Sequence, residues 1–241
     1  ETRLAAVTTP TVMISAHGAS DATKDRVREN GHTILEATCP LVHHAHRMLK
    51  KLVKDGFHPI VIGKRDHVEV RGLTEDFSEC DVVLSGEDIV NLQSRPRFGV
   101  VSQTTQPIEK VRLLVEVLRQ TFNQSEVRFI DTVCQPTKQR QTAAVELAHK
   151  CDVVLVIGGA NSNNTKELVA TCRQFCERVH HVRNPSDLRH DWFVDEETVG
   201  ITAGTSTPDS EIAAVESWLL DSIQTSQQEP ILYGVKSEMR S

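Results

Sequence analysis

Two cysteines carry the first chemical signal. Cys39 lies in "EATCPLVHHAH" (36–46), between a β-leaning run, "HTILEA", and a helical pattern opened by Pro40. Cys134 follows a second such run, "VRFIDTV". Positions 39 and 134 are 95 apart, and the strand-like runs "IVIG" and "LVIG" end at Gly63 and Gly158, the same interval. A fixed interval of this kind reads as an internal repeat. Each cysteine then stands at the C-terminal end of a strand, where parallel sheets place ligand sites. A third cysteine is expected about one repeat upstream of Cys39, before residue 1. Three thiolates converging on a pseudo-threefold axis suit an iron–sulfur cluster with one iron open. Zinc fits less well, because no ordered histidine ligands accompany the thiols. His43, His44 and His46 are read as the flank of the helix after Cys39 and not as ligands.

The elements that must position these thiols alternate strand and helix. Apolar runs "TVMIS", "HTILEA", "HPIVIG", "DVVLS", "FGVVS", "VRFIDTV", "CDVVLVIGG" and "ETVGIT" are separated by helical patterns over 40–55, 107–122, 137–150 and 206–220. That order predicts an α/β fold of mostly parallel sheets. β-Branched runs such as "VVLVIG" read as strands buried on both faces. Polar loops, "KRDHVEV" and "GANSNNTKE", follow the two glycines, and small-polar turns, "VVSQTTQP" and "ITAGTSTP", come later in each unit. "MISAHGAS" has the look of the tail of an earlier copy. The chain therefore parses as the remainder of lobe 1 (1–39), lobe 2 (40–133), lobe 3 (134–222) and a C-terminal tail (223–241). The fold expected is a pseudo-threefold repeat of parallel-sheet α/β lobes around a central cluster site, with the first lobe incomplete.

Composition narrows the partners. The 241 residues are 39% hydrophobic and 25% charged, ordinary for a globular protein. A net charge of −6 argues against a nucleic-acid partner. No apolar run approaches the ~20 residues of a membrane span, and no secretory signal is visible. Any anionic ligand must then be held by backbone N–H groups, hydroxyls, amides and histidines. Six cysteines without a Cys-x-x-Cys pair suggest reduced thiols in a cytoplasmic protein. Cys80, Cys151, Cys172 and Cys176 read as small buried hydrophobes. His32, His149, His180, His181 and His190 read as surface.

The segments "SAHG" (15–18), "ATCPLV" (37–42), "HVEVRG" (67–72), "SQTT" (102–105), "DTVCQPTKQRQ" (131–141), "NSNNT" (161–165) and "TAGTSTPD" (202–209) resemble, in order and spacing, those of the 4-hydroxy-3-methylbut-2-enyl diphosphate reductase family. The resemblance covers nearly the whole chain. It implies three α/β lobes around a [4Fe-4S] cluster with one open iron, and loss of the substrate's hydroxyl as water to give isopentenyl and dimethylallyl diphosphates, the last step of the non-mevalonate isoprenoid pathway. It implies Cys39 and Cys134 as cluster ligands, Glu69 as the proton-delivering carboxyl and Thr104 as the hydroxyl beside it. His17, His67, Ser162, Asn164 and Ser206 resemble the diphosphate-binding set, with Asn163 where the family often has Ser. A small allylic diphosphate substrate and a low-potential electron donor such as ferredoxin or flavodoxin are the implied partners.

Two features depart from the family pattern. The first cluster cysteine and a further histidine of the diphosphate pocket are expected ahead of residue 1. Arg71 stands where a second acidic residue is usual, and Lys64 where histidine is common. A competing expectation is a truncated or degenerate homologue that binds diphosphate without a stable cluster.

Overall fold

The β-branched runs become central strands because both of their faces are covered. In "HPIVI", Ile60 and Ile62 pack on one side with Phe98, Val100, Val111, Leu114 and Leu118. Val61 packs on the other side with Leu49, Leu52, Val70, Leu73 and Val101. Successive side chains of a strand point to opposite faces, so only a sheet with helices on both sides can bury such a run. The computed structural model describes residues 7–194 and 197–226. Residues 227–241 of the expected tail, and 1–6, lie outside the described residues.

The chain divides into two compact units, Glu1–Gln141 and Thr142–Ser241. The first holds two parallel sheets. In the smaller, β1 (Thr11–Ile14) pairs with β2 (Thr33–Glu36), Val12 opposite Ile34, and α1 (Asp21–Glu29) makes the crossover. The larger has the order β4-β3-β5-β6, built from β3 (His58–Ile62), β4 (Asp81–Val83), β5 (Arg97–Ser102) and β6 (Glu126–Phe129). Its helices are α2 (Pro40–Lys54), α3 (Val68–Thr74), α4 (Gly86–Val90) and α5 (Ile108–Thr121). On α2, Val42, Ala45, Leu49 and Leu52 are buried. This spacing is a single helical face, and each leucine so buried contributes roughly 1.5–3 kcal/mol.

Helix α6 (Gln135–Lys150) crosses the division between the units. In the second unit the parallel order is β8-β7-β9, from β7 (Val153–Ile157), β8 (Arg178–Val182) and β9 (Val199–Ala203). Val154 and Val156 face Leu168, Val169 and Cys172 of α7 (Asn163–Cys172). Val153, Leu155 and Ile157 face the opposite side with Val182 and Val215, the latter on α8 (Asp209–Ser226). No helix among the described residues is long and apolar enough to cross a membrane.

Parallel sheets agree with the sequence expectation, and three local readings are corrected. The loop expected over "KRDHVEV" contains the start of α3, and Glu69 lies in that helix's first turn. Val70 and Leu73 turn inward there, and that burial favours helix over a solvated loop. The loop expected over "GANSNNTKE" gives way to α7 at Asn163, capped by Ser162. "RVHHV" is a strand, so His180 and His181 are not free surface. His180 stacks on Trp192 at 3.9 Å, and His181 Nε2 lies 2.9 Å from the Gly158 carbonyl.

Candidate functional site

In the first unit, the chemistry-bearing residues follow strand ends and sit at helix starts. β1 ends at Ile14, and a turn closes with the Gly18 amide on the Ser15 carbonyl at 3.0 Å. Gly18 has φ +76°, and a Cβ there would meet Thr38 at 3.1 Å and Val42 at 3.2 Å. Both the left-handed backbone and the close approach select glycine. The turn presents His17, exposed, with its ring 5.5 Å from that of His67.

Cys39 reaches the same turn from the neighbouring strand. The Ala37 amide donates to the Ile14 carbonyl and the Cys39 amide to the Ala16 carbonyl, both at 3.0 Å. Cys39 is the N-cap of α2, Pro40 is its first residue, and the thiol makes no capping bond. Glu36 braces this loop. It pairs with Lys24 at 2.9 Å and accepts the Thr38 hydroxyl. Burial pulls the Glu36 carboxyl up, but Thr38 and Lys24 together hold it below its ordinary range.

His67 caps α3, its Nδ1 accepting the Glu69 amide at 3.2 Å. That bond leaves Nε2 as the N–H donor of the neutral ring. Burial, then the neighbouring His17 and Lys64, lower the His67 pKa. Glu69 is 2% exposed, and its Oε1 accepts the Thr104 amide at 2.6 Å. Burial pushes this carboxyl up, against the hydrogen bonds from Thr104 that favour its charged form. A carboxyl raised by burial is suited to carrying a proton.

Thr104 joins the carboxyl to the second thiol, because its own carbonyl accepts the Cys134 amide at 3.0 Å. The segment before Cys134 is pinned to the end of β5 through Thr132, which accepts the Ser102 amide at 2.9 Å and donates to the Ser102 carbonyl at 2.7 Å. Cys134 directly precedes α6, and its sulfur lies 2.8 Å from the Thr137 hydroxyl. Both thiols are free and partly exposed. A run of neighbours therefore leads from Cys39 through Ala16 and His17 to His67, Glu69, Thr104 and Cys134. A small pocket of about 10 Å³, with room for little more than a water, opens beside it, lined by His17, Lys24, Thr38, His43 and Glu69 among others.

The second unit gathers the other polar residues of the sequence reading. Ser162 accepts the Thr165 amide at 3.3 Å as the cap of α7. Asn164 donates to the Thr205 hydroxyl at 3.0 Å, and the Thr207 hydroxyl donates to the Ile157 carbonyl at 3.0 Å. Exposed Ser206 lies between those two anchored threonines. Asn163 Nδ2 is buried and has no protein partner. Unspent donors at a helix N-terminus suit an anionic group.

Lys24, Glu36 and the Asp21–His46–Asp76 group escaped sequence reasoning. Nothing local distinguishes them, since their partners come from other elements.

Free thiols, a buried carboxyl and neutral donors at helix starts, carried on parallel sheets, define an α/β protein equipped for redox or metal-dependent chemistry on an anionic ligand. A family model described as LytB protein matches residues 2–220. The chain belongs to that family. The 4-hydroxy-3-methylbut-2-enyl diphosphate reductase of Campylobacter hominis is 35% identical over 199 residues, 82% of this chain and 72% of the relative. A solved structure of (E)-4-hydroxy-3-methyl-but-2-enyl diphosphate reductase, described as the terminal enzyme of the non-mevalonate pathway, is 32% identical with a TM-score of 0.58, covering 88% of this chain and 76% of that one. The structure of the E-1-hydroxy-2-methyl-but-2-enyl-4-diphosphate reductase from Plasmodium falciparum, 24% identical with a TM-score of 0.78 over 95% of this chain and 73% of that one, shares the fold.

Proposed function

We propose that this chain carries out reductive dehydroxylation of (E)-4-hydroxy-3-methylbut-2-enyl diphosphate to isopentenyl and dimethylallyl diphosphates. The relatives are reductases by name, which favours this reading over a binder without catalysis. The observation that carries it is the linkage of buried Glu69 through Thr104 to Cys134. It sets a proton-holding carboxyl one residue from a candidate ligand thiol.

Cys39 and Cys134 would be the protein's ligands to a [4Fe-4S] cluster with one open iron. The two residues fit that role, because both thiols are free and the Cys39 sulfur is not spent on capping its helix. When bound, such a cluster would pass on, one at a time from an external low-potential donor, the two electrons that breaking the carbon–oxygen bond requires. Two protons complete the balance, and the hydroxyl leaves as water. Glu69 holds one of these protons, and the Thr104 amide orients its carboxyl. His17 and His67 bind the diphosphate, the neutral His67 donating from Nε2. Ser162, Asn163, Asn164 and Ser206 supply the remaining neutral donors. The same reading assigns a low-potential donor of ferredoxin or flavodoxin type and a cytoplasmic setting.

Anaerobic loading with iron and sulfide, followed by iron counting and turnover with a reduced low-potential dye, tests the proposal. Cys39→Ala and Cys134→Ala should each lower bound iron and abolish turnover. Unchanged iron in both variants would refute the ligand assignment.

A further inference from the structure

The segment that carries His17 runs alongside α3 in the same direction, and is fastened to it at several points. At the start of α3, the His67 ring lies 5.5 Å from that of His17. One turn further on, a Cβ at Gly72 would lie 3.4 Å from the Ala19 backbone, so the two chains touch there. Past the end of α3, Glu75 accepts the Ser20 hydroxyl at 2.8 Å and the Thr23 hydroxyl at 3.2 Å. Asp76 accepts the Asp21 and Ala22 amides, both at 3.0 Å. These are orphan donors of the first turn of α1, so Asp76 caps a helix from a distant segment.

Asp76 is itself held. Lys50 of α2 pairs with Asp21 and stands 3.5 Å from Asp76. His46 Nε2 lies 3.0 Å from Asp76, out of line for a hydrogen bond. Ligand atoms of Asp21, His46 and Asp76 fall within 4.8 Å of one another, a spacing that could receive a cation. The Lys50 ammonium already supplies positive charge to both carboxylates, and the backbone amides of α1 use both Asp76 oxygens. The cluster is therefore a fastening and not a metal site.

We propose that Glu75 and Asp76 are positioning residues that set His17 against His67. The seven residues of α3 act as a short rigid bar. One end carries His67, and the other is clamped to the residues just after His17. Loss of the clamp frees the His17 turn to move away from His67. The clasp itself is a matter of geometry alone. Its consequence for ligand binding rests on the proposed role of the two imidazoles.

Two readouts on the full chain separate these claims. The first is the nuclear Overhauser effect between the His17 and His67 rings in histidine-labelled protein. The second is calorimetric affinity for inorganic diphosphate. Glu75→Ala/Asp76→Ala should abolish the ring effect and weaken diphosphate binding by about tenfold, the scale of one lost polar contact. His17→Ala added to that pair should cost little more, because the residues act as one unit. Glu75→Gln keeps an acceptor for Ser20 and Thr23 and should restore both readouts relative to Glu75→Ala. An undiminished ring effect in the double variant would overturn the clasp. If that variant does not fold, the ring effect in Glu75→Ala, compared with Glu75→Gln, decides in its place. If His17→Ala and His67→Ala both bind diphosphate as the unaltered chain does, the assignment of the imidazoles falls, while the ring effect still judges the clasp.

Discussion

Glu69→Gln tests the central feature of the site through folding as well as turnover. The side chain is 2% exposed, and its Oε1 takes the Thr104 amide. Glutamine keeps the shape and can still accept that bond, but it cannot ionise. Burial raises the carboxyl's pKa in the folded chain, against about 4.3 when unfolded. Between those two values the folded state binds a proton that the unfolded state has released. The stability contributed by the neutral acid is therefore complete below the unfolded pKa and is lost as pH rises through the folded one. Relative to glutamine, the natural residue should lose about 1.4 kcal/mol per pH unit across that window, then level off. Both tryptophans, Trp192 and Trp218, lie in the second unit, so fluorescence would miss the effect. Hydrogen exchange at the buried amides of β3 and β5, measured from about pH 4 upward, reports the first unit directly. The variants should match at the acid end, with Glu69→Gln pulling ahead as pH rises. Turnover of the loaded variant should fall ~10²-fold, the usual loss for a positioned acid. A stability difference that stays constant with pH would show that the carboxyl does not change charge on folding, and the proton-carrying argument would fail.

Other expectations follow from individual contacts. Lys24→Met should cost about 1 kcal/mol at neutral pH, because half-exposed Glu36 loses its partner and is partly screened by solvent. Glu36 has a lowered pKa in the folded chain, so this loss is complete above the unfolded value and should shrink as acid titrates the carboxyl; urea melts at two pH values check it. A Cβ at Gly158 would stand 2.4 Å from the Thr165 hydroxyl. Gly158→Ala should therefore destabilise the second unit by about 1–3 kcal/mol, the range for overpacking, seen as a lower urea midpoint by tryptophan fluorescence. Burial pushes the Cys80 thiol up to about 12 and the Cys172 thiol up to about 11. With iodoacetamide at about pH 8, peptide mapping should show these two labelled far more slowly in the folded chain than in the urea-unfolded chain, since the thiolate is the nucleophile; equal rates would contradict the burial.

The layer type and the chemical vocabulary were legible in local pattern. Runs such as "HPIVI" and "VVLVI" contain so many branched apolar residues that only a sheet covered on both faces can bury them. The 95-residue interval between Cys39 and Cys134 was legible because both cysteines follow a β-leaning run and precede a helix start, features that local pattern records. The family motifs pointed to Glu69, Thr104 and the two histidines. What local pattern cannot record is partnership across elements. Glu69 reads as a loop residue, and becomes a buried acid only when α3 packs Val70 and Leu73 inward and β5 brings the Thr104 amide to its carboxyl. "RVHHV" carries polar side chains at its centre, and becomes a strand because β7 offers it an edge to pair with. Asp76 and His46 look like surface residues, since the helix start that Asp76 caps lies more than fifty residues away in the chain. Periodicity reflects each residue's neighbours in sequence, whereas burial, capping and raised acidity depend on the neighbours that folding supplies. That is why only the folded chain distinguishes the carboxyl whose acidity burial weakens from the one that caps a helix.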